Sequence, residues 1–137
     1  MECDGARTAD VRKLTVMRVL RRSGDPDLAV RIAGEADRGV PVVLVHGMAS
    51  DHSTWRRLAT ALRARGRAVI SVDLRGHGRS GRAREVYRLD DFRDDLAYVL
   101  DTLGIAVADV VGHSLGAHTA LRLAMREPTR IRRLVPV

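Results

Sequence analysis

Cysteine is almost absent: Cys3 is the only one in 137 residues. A single thiol excludes an intrachain disulfide, so the stapled folds of small secreted proteins are out and a reducing compartment is expected. Aromatic residues amount to 3%, which leaves Leu, Val, Ile and Ala to build the core. Lysine occurs once, at Lys13, so the formal net charge of +7 is arginine. That arginine is spread along the chain, without aromatic interleaving or a recognisable motif, so no nucleic-acid partner is expected. No apolar run approaches the roughly 20 residues of a membrane span. The first residues lack a basic-then-apolar leader pattern. The expected location is cytoplasmic, away from membranes. No spacing among the histidines and Cys3 suggests a metal site, and no cofactor is expected.

What is present is a chain that is 45% hydrophobic and 30% charged, the composition of a globular domain. Residues 1–13 carry mixed charge and read as a loose tail; residues 14–137 read as one domain. Leu14–Leu20 and Leu28–Ala33 are strand-like and flank the turn signal Ser23-Gly24-Asp25-Pro26-Asp27, so they predict an antiparallel hairpin at a sheet edge. Pro41–Val45, Ala68–Val72 and Val107–Val111 are continuous apolar runs, the pattern of strands covered on both faces. Between them, Trp55, Leu58, Ala59 and Leu62, then Leu89, Phe92, Leu96, Val99, Leu100 and Leu103, recur at helical spacing. Leu115–Arg126 is a further helix, closed by Pro128, and Ile131–Val137 is a last strand. The alternation predicts an α/β fold in three layers, with a mainly parallel sheet and an N-terminal antiparallel hairpin. Ligands in such sheets gather at the carboxyl ends of the strands.

The loops at those ends carry three motifs in order: His46-Gly47-Met48, Asp73-Leu74-Arg75-Gly76-His77-Gly78-Arg79-Ser80, and Gly112-His113-Ser114-Leu115-Gly116. The last is Gly-x-Ser-x-Gly between a strand and a helix, the context of a nucleophile elbow. Together the motifs resemble the α/β-hydrolase fold family, in its branch of esterases, lipases and related serine hydrolases, from about residue 14 onward. The resemblance implies Ser114 as nucleophile, with the backbone N–H groups of Leu115 and Met48 forming an oxyanion hole. His46, Gly47, Gly112, His113 and Gly116 support them. It implies a structural role, and no chemical step, for Asp73–Ser80. Haloalkane dehalogenases and epoxide hydrolases of this fold place aspartate at the elbow. Serine there points to acyl transfer to water, from an ester, thioester, lactone or amide; carbon–carbon bond hydrolysis and perhydrolysis stay open. Met48, Ala49 and Trp55 are candidates for the acyl side of a pocket, although Trp55 stands at core spacing.

A serine hydroxyl needs a neighbouring base, itself oriented by an acid. In this fold both follow the serine in the chain. After Ser114 the only histidine is His118 and the only acid is Glu127. His118 lies about one helical turn on and is expected on the helix surface. Helix capping or solvation is the expectation for His52, and a loop-structural role for His77. The chain is therefore expected to be the N-terminal portion of a hydrolase, truncated after the sixth strand of the family's usual eight. Its open last strand would pair with a missing C-terminal half or with a second copy. The alternative is a catalytically silent fragment or interaction module on a hydrolase scaffold. A nucleotide-binding domain is a weaker third reading, since neither Gly-x-Gly-x-x-Gly at the elbow nor a Gly-Lys-Ser/Thr loop occurs.

Overall fold

The computed structural model describes residues 15–35 and 39–137. The expected tail over 1–13 and the strand's first residue, Leu14, lie outside the described residues. Six strands form one sheet: β1 (Thr15–Leu20), β2 (Leu28–Ala33), β3 (Val42–Val45), β4 (Val69–Val72), β5 (Ala108–Gly112) and β6 (Ile131–Pro136). Their spatial order is β1-β2-β4-β3-β5-β6. β1 and β2 form the predicted antiparallel hairpin at the edge, β2 also runs antiparallel to β4, and β4, β3, β5 and β6 are mutually parallel.

Three helices cover the sheet: α1 (Arg56–Ala64), α2 (Leu89–Thr102) and α3 (Leu115–Arg126). Successive strand residues point to opposite faces, and the core divides accordingly. Val43, Val45, Ile70, Val72 and Val110 pack with Phe92, Leu96, Val99 and Leu100 of α2 and with Leu115, Ala120 and Leu123 of α3. Val42, Leu44 and Val69 face the other way, onto Ala59, Leu58 and Leu62 of α1 and onto Trp55. The fully apolar runs of β3 and β4 are explained by this two-sided burial. None of the helices is long and apolar enough to cross a membrane.

Arginine, abundant in the sequence, closes this frame at two buried carboxylates. Asp95 of α2 is 1% exposed. It takes a bidentate pair from Arg75, at 2.6 and 2.7 Å, and a third bond from Arg22. One carboxylate thus ties α2 to the loop after β4 and to the β1–β2 turn. Asp109 of β5 sits where β6 carries an extra residue: Ala108 pairs with Ile131, but Asp109 with Arg133. The bulge sends Arg132 onto the Asp109 carboxylate at 2.7 and 2.9 Å, beside Arg67 at 2.7 Å. The Arg132 hydrogen bonds, seconded by Arg67, lower the Asp109 carboxyl to about 2. Arg22, Arg67, Arg75 and Arg132 are thus committed to ion clusters within the frame.

Removing one member of a buried ion cluster leaves the others desolvated and uncompensated. Asp95→Ala is therefore expected to cost about 3–5 kcal/mol in urea unfolding, well beyond the effect of an exposed carboxylate such as Asp101→Ala.

Candidate active site

The carboxyl ends of β3, β4 and β5 lie side by side, which brings the three motif loops together. The turn from β5 into α3 runs close against the end of β3. An added Cβ at Gly116 would collide with the carbonyl oxygen of Val45 and approach that of His46 at 2.6 Å. One at Gly112 would lie 2.6 Å from the Ala117 nitrogen and the Gly116 carbonyl. Only glycine allows the chain to turn from strand to helix in so little space. The turn is made at Ser114, with φ 50° and ψ −114°, outside the regions an L-residue favours. Ser114 is exposed. Its N–H donates to the Val137 carbonyl at 3.0 Å, and its own carbonyl accepts from His118 N–H at 3.1 Å.

The candidate oxyanion donors are the N–H groups of Leu115 and Met48. Leu115 opens α3, where the first-turn N–H groups have no helical partner. Met48 follows Gly47 on the loop after β3 and is 73% exposed. Among the described residues, neither N–H has an acceptor. Met48 and Ala49 are open to solvent, whereas Trp55 packs under α1 into the core; Trp55 thus takes the core role that its spacing suggests.

The histidines divide by what their ring nitrogens do. His46 is fully buried. Its Nδ1 bonds the Gly47 carbonyl at 2.7 Å, and its Nε2 accepts the Leu74 N–H at 3.0 Å. An accepting Nε2 requires the neutral ring, and burial accordingly lowers the His46 pKa below 6.5, with the neighbouring His77 adding to the effect. His77 bonds the Arg75 carbonyl through Nδ1. The His113 ring lies over Gly47, whose added Cβ would sit 2.7 Å from Nδ1. His118 is exposed on α3, in a groove with Leu121, Met125 and Arg93. Among the described residues no side chain hydrogen-bonds the Ser114 hydroxyl.

His52 departs from the expected capping or solvated role. It opens a 3₁₀ turn, His52–Trp55, that is capped by Asp51 through Ser53 N–H. Its own N–H and ring Nδ1 both bond Asp73, a fully buried carboxylate at the end of β4. Sequence reasoning missed this pair; the available signal was an acid standing directly after a buried strand, where a carboxylate must find donors. Asp51, His52 and Asp73 also place potential metal-ligating atoms within 4.8 Å of one another. Their oxygens are engaged, however: Asp73 takes His52 and the Arg79 N–H, and Asp51 takes the Ser53 N–H.

A family profile described as "alpha/beta hydrolase fold" matches residues 40–137. Epoxide hydrolase B of Mycobacterium tuberculosis is 37% identical over 117 residues, covering 84% of this chain and 33% of that protein. An sn-1-specific diacylglycerol lipase of Xenopus laevis is 34% identical over 112 residues, covering 81% of this chain and 36% of the lipase. The crystal structure of an epoxide hydrolase from Vigna radiata superposes with a TM-score of 0.82 at 27% identity, over 89% of this chain and 39% of that one. The chain thus spans about a third of the length of the curated relatives it matches.

Two outcomes follow from this geometry. Ser114→Gly relieves the positive φ and is expected to raise stability by about 1 kcal/mol in thermal unfolding, since strain of this kind costs about 1–3 kcal/mol and glycine's unfolded-state freedom offsets part of it. For His46, the native state favours the neutral ring. Its contribution is fully present above pH 6.5 and is lost as pH falls from 6.5 through the lowered native value. His46→Gln is expected to remove that part of the stability–pH slope, measured by urea unfolding between pH 7.5 and 5.

Proposed function

The chain belongs to the α/β-hydrolase fold family, and on that footing we propose that it supplies the nucleophile half of a serine hydrolase acting on an ester-like acyl bond. Among its relatives are an epoxide hydrolase and a diacylglycerol lipase. The observation that carries the reading is Ser114 itself: an exposed serine on a strained strand-to-helix turn, with the N–H groups of Leu115 and Met48 left without acceptors among the described residues. Ser114 Oγ would attack the acyl carbon, and the oxygen that gains charge would be met by these two N–H groups. Backbone donors suit the task because they are in place before charge develops; each is worth ~10²–10³ in rate. Epoxide hydrolases of this fold carry aspartate at the elbow, so serine favours acyl chemistry here despite the names of two similar proteins.

A second reading rests on one specific observation, that no described side chain bonds the Ser114 hydroxyl. On that reading the 137 residues alone are catalytically silent. Both readings are reconciled if the base and acid come from a C-terminal continuation or a separate chain seated along the open edge of β6. The proposed substrate is a small acyl compound, handled without nucleic acid, membrane, cofactor or metal, in the cytoplasm.

Incubation of the purified chain with a fluorophosphonate probe separates the readings. Stoichiometric labelling that disappears in Ser114→Ala supports a working nucleophile. Labelling that persists in Ser114→Ala, or is absent from both, supports the silent scaffold. Hydrolysis of p-nitrophenyl acetate in preference to styrene oxide is the expected selectivity of the labelled form.

A further inference from the structure

We infer that His52 and Asp73 form a positioning latch for the loop that carries Met48, holding that N–H in place for the oxyanion; the inference rests on the proposed nucleophilic role of Ser114. The loop leaves β3 at His46 and ends where the 3₁₀ turn begins at His52. It is anchored at both ends to the loop after β4. At the near end the His46 ring accepts the Leu74 N–H. At the far end the His52 N–H donates to Asp73 Oδ1 at 2.7 Å, and Nδ1 bonds both carboxylate oxygens at 2.9 and 3.0 Å.

Asp73 is a firm anchor. Its N–H donates to the Ala29 carbonyl at 2.9 Å and its carbonyl accepts the Ser80 hydroxyl at 2.6 Å. Oδ2 takes the Arg79 N–H at 3.0 Å. A carboxylate with no solvent exposure keeps such donors, because none can be replaced by water.

Between the anchors the loop is otherwise loosely held. Met48 and Ala49 are exposed, and Ala49 adopts φ 57°, an uncommon conformation for a residue with a side chain. A strained residue persists only when its surroundings over-determine it. The contacts that do so are His46 to Leu74, His113 over Gly47, and His52 to Asp73. The last stands three residues beyond Ala49 and takes up a buried carboxylate that has no other side-chain hydrogen-bond partner among the described residues. His52 and Asp73 touch no reacting atom on this account; they act through Met48.

The test combines backbone ¹⁵N relaxation with fluorophosphonate labelling on the full chain. In His52→Ala the order parameters of Met48 and Ala49 are expected to fall from about 0.85 to below about 0.6, with Leu115 unchanged. His52→Gln, which keeps a polar side chain but shifts its donor away from the Nδ1 position, should behave alike. His52→Asn restores an N–H at that position and should return Met48 to the rigid range. Labelling of Ser114 should slow about tenfold in His52→Ala and recover in His52→Asn. Unchanged Met48 order in both disruptive variants, or equal loosening of Leu115, overturns the latch. Absence of labelling in the unmodified chain overturns the nucleophile reading instead, and leaves the relaxation result to decide the latch by itself.

Discussion

At Gly116 the start of α3 passes so close to the end of β3 that a side chain there would run into the carbonyls of Val45 and His46. That contact permits the sharp turn at Ser114, and the turn in turn sets the serine at the carboxyl edge of the sheet. It also presses β5 against β3, so the His113 N–H bonds the Val45 carbonyl at 3.0 Å and the His113 ring covers Gly47. Two motif loops, more than sixty residues apart in sequence, meet because one position has no side chain. The serine's strain is sustained by this packing rather than by local preference.

Around this contact the histidines hold loops. In His46 both ring nitrogens are committed, one to a backbone carbonyl and one to a backbone N–H, and burial lowers its pKa. His77 braces the glycine-rich loop through the Arg75 carbonyl, and His52 closes onto Asp73. Side chains that would invite a catalytic reading by residue type are engaged instead with the loops around them.

Charge plays the complementary part at a distance from the serine. Arg22 and Arg75 on Asp95, and Arg67 and Arg132 on Asp109, are ion clusters set into the frame. Such clusters add little net stability over apolar packing but penalise any arrangement that separates their members. Asp95 joins three segments distant in sequence, and Asp109 joins β5 to the bulged strand β6 and to the segment before β4. The arginine-rich composition is partly explained by this demand for forked donors that satisfy a carboxylate bidentately.

The alternation of apolar runs and amphipathic helices, the hairpin at the edge and the Gly-x-Ser-x-Gly turn were all legible in the sequence, because each follows from short-range periodicity or from the steric freedom of glycine. Ser114, Leu115 and Met48 are nominated instead by the resemblance of their motifs to the α/β-hydrolase fold family. Local pattern carries no record of which strands are neighbours, so the order β2-β4-β3-β5 had to come from the tertiary structure. With it came the partners of Asp73, Asp95 and Asp109. A buried carboxylate declares that it needs donors, but the donors are chosen by proximity across the sheet. His52 looked like a helix-start residue until β4 was placed beside β3 and set Asp73 against it. The sequence by itself determined the elements and the turn that exposes the serine; only the packing of distant segments decided which polar groups hold that turn and its neighbouring loop in place.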